Sequence, residues 1–238
     1  SLNKSVDAVV DCMNALKRPV ISGKDSLSST YRSRDGKTVI KIPPVLCISV
    51  FGKIPDVEKT VSSDIKKTGS TLVLVGKLDS AMGGSTYYDV NGLFGNQVPK
   101  IDLNLFPKVL LQVHEAIKTG KVLACHDVSE GGVISTIAEM SFGGDCGAEI
   151  VLDDRARLLD RRGRADYFLF NETAGNFVIE VENEDVAEEL FGNLPHIVLG
   201  QTTQDKQIGV KVGESNLFTV PTDELKKAWQ EPLRKIFN

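Results

Sequence analysis

The chain has 238 residues, 41% of them hydrophobic and 25% charged, with a formal net charge of −4. That is enough length and apolar content for one large or two small cores, while the acidic balance argues against a free-standing nucleic-acid binder. No run approaches the roughly eighteen apolar residues of a membrane span, and no charged stretch followed by an apolar one marks a leader, so a cytoplasmic protein with no membrane partner is expected. The four cysteines (Cys12, Cys47, Cys125 and Cys146) show no C-x-x-C spacing. Three sit in apolar or helical runs, and all are read as reduced core thiols.

Residues 4–17 place Val6, Val9, Val10, Met13 and Leu16 at helical spacing. RPVISGKDS follows, a short apolar run ending in a glycine turn. RDGK at 34–37 is a turn signal of the Asp-Gly type. TVIKIPPVLCISVFGKI is rich in strand formers, but Pro43-Pro44 forbids one continuous central strand, so two strands or a bulged edge are expected. Residues 55–70 are polar and read as a linker with a short helical stretch. STLVLVGKL is a buried strand. Residues 102–119 are expected as a long helix stopped by Gly120, and KVLACHDV as a strand leading into a glycine loop. SEGGVISTIAEMSFGG reads as a helix that ends at Gly143-Gly144, with Ser129 as its natural N-cap.

GAEIVL and NFVIEVE are strands, and NEDVAEELFG is a helix with Asn183 as its cap. HIVLGQTT and KQIGVKV are strands, and TDELKKAWQEPLRKIF is an amphipathic helix capped by Thr222. Alternation of strands and helices from about residue 58 onward implies an α/β (α+β) domain. The first 57 residues are different: one helix and a few strands cannot bury both faces of anything. They should expose apolar surface and pack on other material, with a homodimer as one outcome. RARLLDRRGR at 155–164 holds five arginines in ten residues, either a solvated loop or a phosphate contact.

Two segments carry residue types that hold phosphate. In SGKDS (22–26), Gly23 permits a sharp turn and a close ligand approach, Lys24 is a point charge, Asp25 suits magnesium, and Ser26 both donates and accepts. The Walker A spacing is absent, so a plain polar turn remains open. In HDVSEGG (126–132), Asp127 ends a strand, Ser129 offers a hydroxyl, and Gly131 and Gly132 open a helix whose N-terminal N–H groups favour anions. LFNETAGNF (169–177) sets Asn171 and Glu172 between two apolar runs, as pocket groups or a turn. MGGSTYY (82–88) reads as a loop-to-helix junction. Cys125 and His126 are neighbours on a strand and face opposite ways, so they form no catalytic pair; His126 is expected to bond locally.

PVISGKDSLSS, PPVLCISVFGKIPDV, ACHDVSEGGVISTIAEMSFGGDCGAEI and LFNETAGNFVIEV, in this order, resemble phosphoribosylformylglycinamidine synthase in its large, single-chain form. Each segment alone would suit other members of the aminoimidazole ribonucleotide synthetase superfamily. The resemblance spans most of residues 4–200. It implies a mixed sheet with packed helices at 58–238, the C-terminal domain of that fold, preceded at 1–57 by the tail of an N-terminal sheet domain.

That family joins ATP, glutamine-derived ammonia and formylglycinamide ribonucleotide to give the amidine, with Mg2+ as the metal. Its partners would be the remainder of the synthase, including the glutaminase domain. By resemblance, Gly23 matches an ATP contact and Ser26 a substrate contact. Lys24 stands where the small form has a magnesium-binding Asn. Asp127 matches a magnesium ligand of an auxiliary nucleotide site that binds ATP or ADP without turnover, and Ser129 matches an ATP contact there. The family's catalytic histidine has no counterpart, so the expectation is an incomplete portion, inactive alone. A stand-alone nucleotide-binding module and another ATP-dependent enzyme of the superfamily remain alternatives.

Overall fold

The computed structural model describes residues 2–24, 30–41, 45–152 and 164–237. They fall into two units, Ser1–Pro55 and Asp56–Asn238.

The first unit holds helix α1 (Leu2–Leu16) and an antiparallel hairpin of β1 (Thr30–Arg32) and β2 (Val39–Lys41). The Asp-Gly turn closes the hairpin. Ser33 N–H donates to the Thr38 carbonyl at 2.9 Å, and Gly36 takes a positive φ of 70°. None of these three elements has a buried residue. Val6, Val10, Val20, Ile21, Ile48 and Phe51 are all exposed, in line with a segment that cannot make its own core. The second strand expected after Pro44 does not form, and residues 45–55 have no regular structure. A strand holds only against a neighbour, and none is paired with this one.

The connector after Pro55 begins as the polar linker expected. Asp56 accepts from Glu58 N–H at 3.1 Å to start a short 3-10 turn, Val57–Lys59. From Ser62 onward it is packed, which corrects the linker reading. Ser62 carbonyl accepts from Cys125 N–H at 3.2 Å, and buried Ile65 donates its N–H to Met140 at 3.1 Å. Glu180, fully buried, accepts from Lys66 N–H at 2.8 Å, from Lys67 N–H at 3.3 Å and from Ser70 Oγ at 2.6 Å. A carboxylate inside a protein persists only with such donors.

The second unit is built on a seven-stranded sheet of order β4-β6-β3-β7-β5-β8-β9. Its strands are β3 (Thr71–Val75), β4 (Val122–Asp127), β5 (Gly147–Leu152), β6 (Phe177–Val181), β7 (His196–Thr203), β8 (Gln207–Val212) and β9 (Ser215–Pro221). All neighbours are antiparallel except β5 and β8. The sheet is therefore mixed. Every residue of β3 is buried, as expected of a strand covered on both faces.

Leu72 and Leu74 pack on one side with α4 (Gly132–Gly144), α5 (Ala165–Leu169) and Leu225 of α7 (Thr222–Phe237). Val73 and Val75 pack on the other with α3 (Phe106–Lys118) and α6 (Glu184–Phe191). The result is three layers, with period-2 alternation dividing the strand side chains between two cores. Helix α2 (Thr86–Val90) lies in the loop after β3.

Several boundaries differ from expectation. Helix α3 starts at Phe106 because the Asp102 carboxylate accepts from Asn104 N–H at 2.9 Å and Leu105 N–H at 3.2 Å, making a turn first. Thr222 is the first helical residue rather than the cap, and its hydroxyl points to the Lys206 carbonyl at 3.3 Å. Asn183 caps α6 as read, accepting from Val186 N–H at 3.0 Å. Strand β9 was not anticipated, nor was α5. The arginine-rich stretch lies outside the described residues except for Arg164.

Candidate functional site

Asp127 is the last residue of β4, an edge strand, where the chain turns toward α4. Its backbone is held firmly. The Asp127 carbonyl accepts from Thr136 Oγ1 at 3.2 Å and lies 2.8 Å from His126 Nδ1, while Val128 N–H donates to Asn176 carbonyl at 2.9 Å. The Asp127 side chain is 66% exposed, with His126 Nδ1 3.3 Å from its carboxylate, so a fixed main chain presents the carboxylate to solvent. Ser129 and Glu130 follow, both exposed.

His126 bonds locally, as expected. Nε2 lies 3.0 Å from Glu139 of α4, and Nδ1 lies 3.3 Å from the Asp127 carboxylate. Cys125 faces the opposite core, which separates it from His126. Burial, with a smaller push from the Asp127 charge, raises its thiol pKa to about 12. It is therefore no nucleophile near neutrality. The other thiols are also free, but the core reading is too strong. Cys12, Cys125 and Cys146 are half-buried and Cys47 is exposed, since its strand has no partner.

The glycine loop departs from the expected capping. Gly131, at φ +80°, is the N-cap of α4 and Ser129 is not; instead the Ser129 carbonyl accepts from Gly132 N–H at 3.0 Å. Gly132 is glycine for packing. A Cβ there would lie 2.5 Å from the Phe170 carbonyl carbon and 2.6 Å from Asn171 N, and its φ is +74°. The start of α4 is thus covered by the 170–171 backbone, and Gly131 N–H is occupied by the Glu172 carboxylate at 2.8 Å.

The Leu-Phe-Asn-Glu segment is what meets the glycine loop. Asn171 is buried and fully used: Nδ2 donates to Asp79 carbonyl at 2.7 Å, and Oδ1 accepts from Thr173 N–H at 3.0 Å and its hydroxyl at 2.5 Å. Thr173 Oγ1 in turn accepts from Asp79 N–H at 2.9 Å. Burial works against ionisation of the Asp79 carboxyl, but the N–H groups of Lys100, Ala81 and Ser80 outweigh it and lower its pKa. Glu172 Oε1 also accepts from Thr86 N–H at 2.9 Å, where Ser85 caps α2 by accepting from Tyr88 N–H at 3.2 Å.

Tyr87 donates to Asp166 at 2.6 Å and stacks on Phe170 with centroids 4.7 Å apart. Tyr88 and Tyr167 hydroxyls meet at 2.7 Å. Arg164 pairs with Asp166, and its guanidinium lies 4.7 Å from the Tyr167 ring centroid. The Arg164 pair, then the Tyr87 donor, hold the Asp166 carboxyl below its usual range against partial burial. Sequence reasoning missed this aromatic cluster. Its one signal was the Tyr87-Tyr88 pair after the glycines.

The other motif lies in the first unit. Gly23 and Lys24 are exposed in a stretch without regular structure, and Asp25 and Ser26 lie outside the described residues. Asp127, Ser129, Gly131, Gly132, Asn171 and Glu172 all sit in the second unit and form one neighbourhood around the loop before α4. Among the described residues, no three His, Cys, Asp or Glu side chains converge to hold a metal ion. Around Asp127 the groups able to ligate are its own carboxylate, the neighbouring Ser129 hydroxyl and Glu130 carboxylate, and the His126 imidazole 3.3 Å away, itself engaged by Glu139. The oxygen groups among them would suit a hard cation carried mainly by other oxygen ligands.

A three-layer unit on a mixed seven-stranded sheet, with an exposed carboxylate between an edge strand and a glycine loop, defines a mixed α/β domain. Residues 67–213 match the family described as AIR synthase related protein, C-terminal domain, and the chain belongs to that family. It is 33% identical over 246 aligned residues to the phosphoribosylformylglycinamidine synthase subunit PurL of Deinococcus radiodurans, covering 99% of this chain and 32% of that protein. In fold it is similar to Thermotoga maritima PurL complexed with FGAR, with TM-score 0.65 and 16% identity over 91% of this chain and 36% of that one. T. maritima PurL complexed with ATP gives TM-score 0.61 and 16% identity over 92% of this chain and 34% of that one. The chain spans about a third of the length of these relatives.

Proposed function

We propose that the chain serves within a phosphoribosylformylglycinamidine synthase, an ATP-dependent ligase of purine biosynthesis, and is inactive alone. The observation that carries this reading is the 33% identity to PurL along essentially the whole chain. The reaction would transfer the γ-phosphoryl of ATP to the amide oxygen of formylglycinamide ribonucleotide. Ammonia would then attack the activated carbon and expel phosphate, leaving the amidine, ADP and phosphate. The ammonia would come from glutamine through a glutaminase partner, in the cytoplasm.

Within that scheme this chain binds and positions rather than transfers protons. Asp127 would hold magnesium at the auxiliary nucleotide site, and its exposed carboxylate on a clamped backbone suits that task. The ion would neutralise the phosphates of a nucleotide retained there without turnover. Ser129 would contact the same nucleotide. Gly23 and Lys24 would serve the nucleotide at the other motif, with Asp25 beside them and Ser26 on the substrate. The domain assignment we favour is 1–57 as part of an N-terminal sheet domain and 58–238 as the C-terminal domain.

The test is calorimetry with Mg-ADP on the isolated chain, followed by synthase assays in the full-length enzyme. No detectable binding is expected for the chain alone; a micromolar constant would contradict the incomplete-site reading. In the full-length enzyme Asp127→Asn should weaken Mg-ADP retention by about tenfold or more, the order expected on losing one charged ligand. Unchanged retention would remove Asp127 from the site.

A further inference from the structure

We propose that Glu172 is a positioning residue, a carboxylate clamp that joins the glycine loop before α4 to the start of α2 and thereby sets the loop carrying Asp127 and Ser129. The inference rests on the nucleotide-site reading above and extends it to a residue that acts through the loop. The sequence made Glu172 a candidate pocket group; the geometry gives it a different task. One oxygen, Oε1, accepts both Gly131 N–H at 2.8 Å and Thr86 N–H at 2.9 Å. Those donors are 45 residues apart in the chain. Two hydrogen bonds to one ionised oxygen are stronger than neutral bonds and fix both donors against the same point.

The clamp has a rigid mount. Asn171 and Thr173, on either side of Glu172, are buried and tied to the Asp79 backbone at 2.7 and 2.9 Å. Phe170, one residue before Asn171, stacks on Tyr87 of α2. The 170–173 segment therefore cannot follow a loop that moves. Gly131 is one residue from Glu130 and two from Ser129, and its neighbour Gly132 closes the turn back to Ser129 carbonyl. Holding Gly131 N–H thus holds the turn that displays the Ser129 hydroxyl. With the carboxylate gone, Gly131 N–H and Thr86 N–H both lose their acceptor; the Thr136 and Asn176 bonds still hold the Asp127–Val128 backbone and Gly132 still packs on the 170–171 backbone, so the loosening falls on Ser129–Gly131.

Two substitutions test this. Glu172→Ala removes the acceptor, whereas Glu172→Gln keeps an oxygen that accepts both N–H groups. Amide exchange by NMR on the chain itself should show Gly131 and Thr86 exchanging about tenfold faster in Glu172→Ala and near wild type in Glu172→Gln, with β3 and β6 amides unchanged. Equal exchange at both amides in all three proteins would overturn the clamp, whatever the fate of the nucleotide reading. In the full-length synthase, Mg-ADP retention should fall about tenfold for Glu172→Ala and recover in Glu172→Gln, at melting temperatures near wild type. Tighter retention in Glu172→Ala would sink the proposal, because Glu172 would then be a competitor of the phosphate. Absence of Mg-ADP from the wild-type synthase would refute the nucleotide reading and this proposal's link to it, while the exchange result would still decide the clamp.

Discussion

The two units of this chain use apolar residues in opposite ways. In Asp56–Asn238 they are sealed into two cores, one on each face of a seven-stranded sheet. Among the described residues of Ser1–Pro55 none is buried, and Phe51 is 81% exposed. The difference is whether a segment has a second layer to close on, which is topological rather than compositional.

The contrast can be broken most directly by paired truncations. Phe191, fully buried between α6 and the sheet, should cost about 3–5 kcal/mol when changed to Ala. Phe51→Ala should cost less than about 0.5 kcal/mol in the same urea titration. A large loss at Phe51 would show that the first unit has a core after all.

Next in size is Gly132→Ala. A left-handed backbone and a Cβ 2.5 Å from the Phe170 carbonyl carbon should together cost about 2 kcal/mol or more by thermal denaturation. A neutral result would mean that the loop and the 170–171 backbone are not packed as described. Asn183→Ala should cost about 1 kcal/mol through loss of the α6 cap.

Thiol alkylation sharpens the comparison without perturbing the fold. At pH 8 exposed Cys47 should react quickly with iodoacetamide, while Cys125, with its thiol pushed up to about 12, should react only on unfolding. Equal labelling by peptide mass spectrometry would contradict the burial of β4. The smallest effect concerns Asp166. Its carboxyl is lowered by Arg164 and Tyr87, so the ion cluster stabilises the fold above the unfolded carboxylate value near pH 4. That contribution is lost as pH falls below it through the folded value. Asp166→Asn should flatten the acid limb of a stability-versus-pH curve, and an unaltered limb would dismiss the coupling.

Much of the second unit was legible in the sequence because it obeys local rules. The unbroken TLVLV run predicts a strand buried on both faces, and β3 is one. The Asn183 cap and the Gly143-Gly144 stop also hold. What escaped depends on partners distant in sequence. Strand β9 carries an ordinary NLFTV pattern, but only pairing with β8 makes it a strand. Ser129 has the chemistry of a cap, yet Gly131 takes the position at φ +80°, its N–H held by the Glu172 carboxylate from 41 residues away. Gly131 and Gly132 in the sequence suggest a helix start whose N–H groups favour anions, while the Gly131 N–H is taken by Glu172 and the neighbour of Gly132 is the protein's own main chain. Glu172 was one of two polar residues in an apolar run, and nothing local discloses that its partners are at 86 and 131. Asp127, at a strand end before glycines, was found where a local motif said it would be, and its exposure was not readable from the motif.

The contact between Ser62 and Cys125 has a bearing on solution behaviour. It engages one outward N–H of the β4 margin, that of Cys125, with the chain's own main chain, leaving β9 as the other rim. Head-to-tail fibril growth requires two receptive rims on every molecule. With part of the β4 rim already engaged, strand-to-strand association through the second unit is disfavoured there and left to β9.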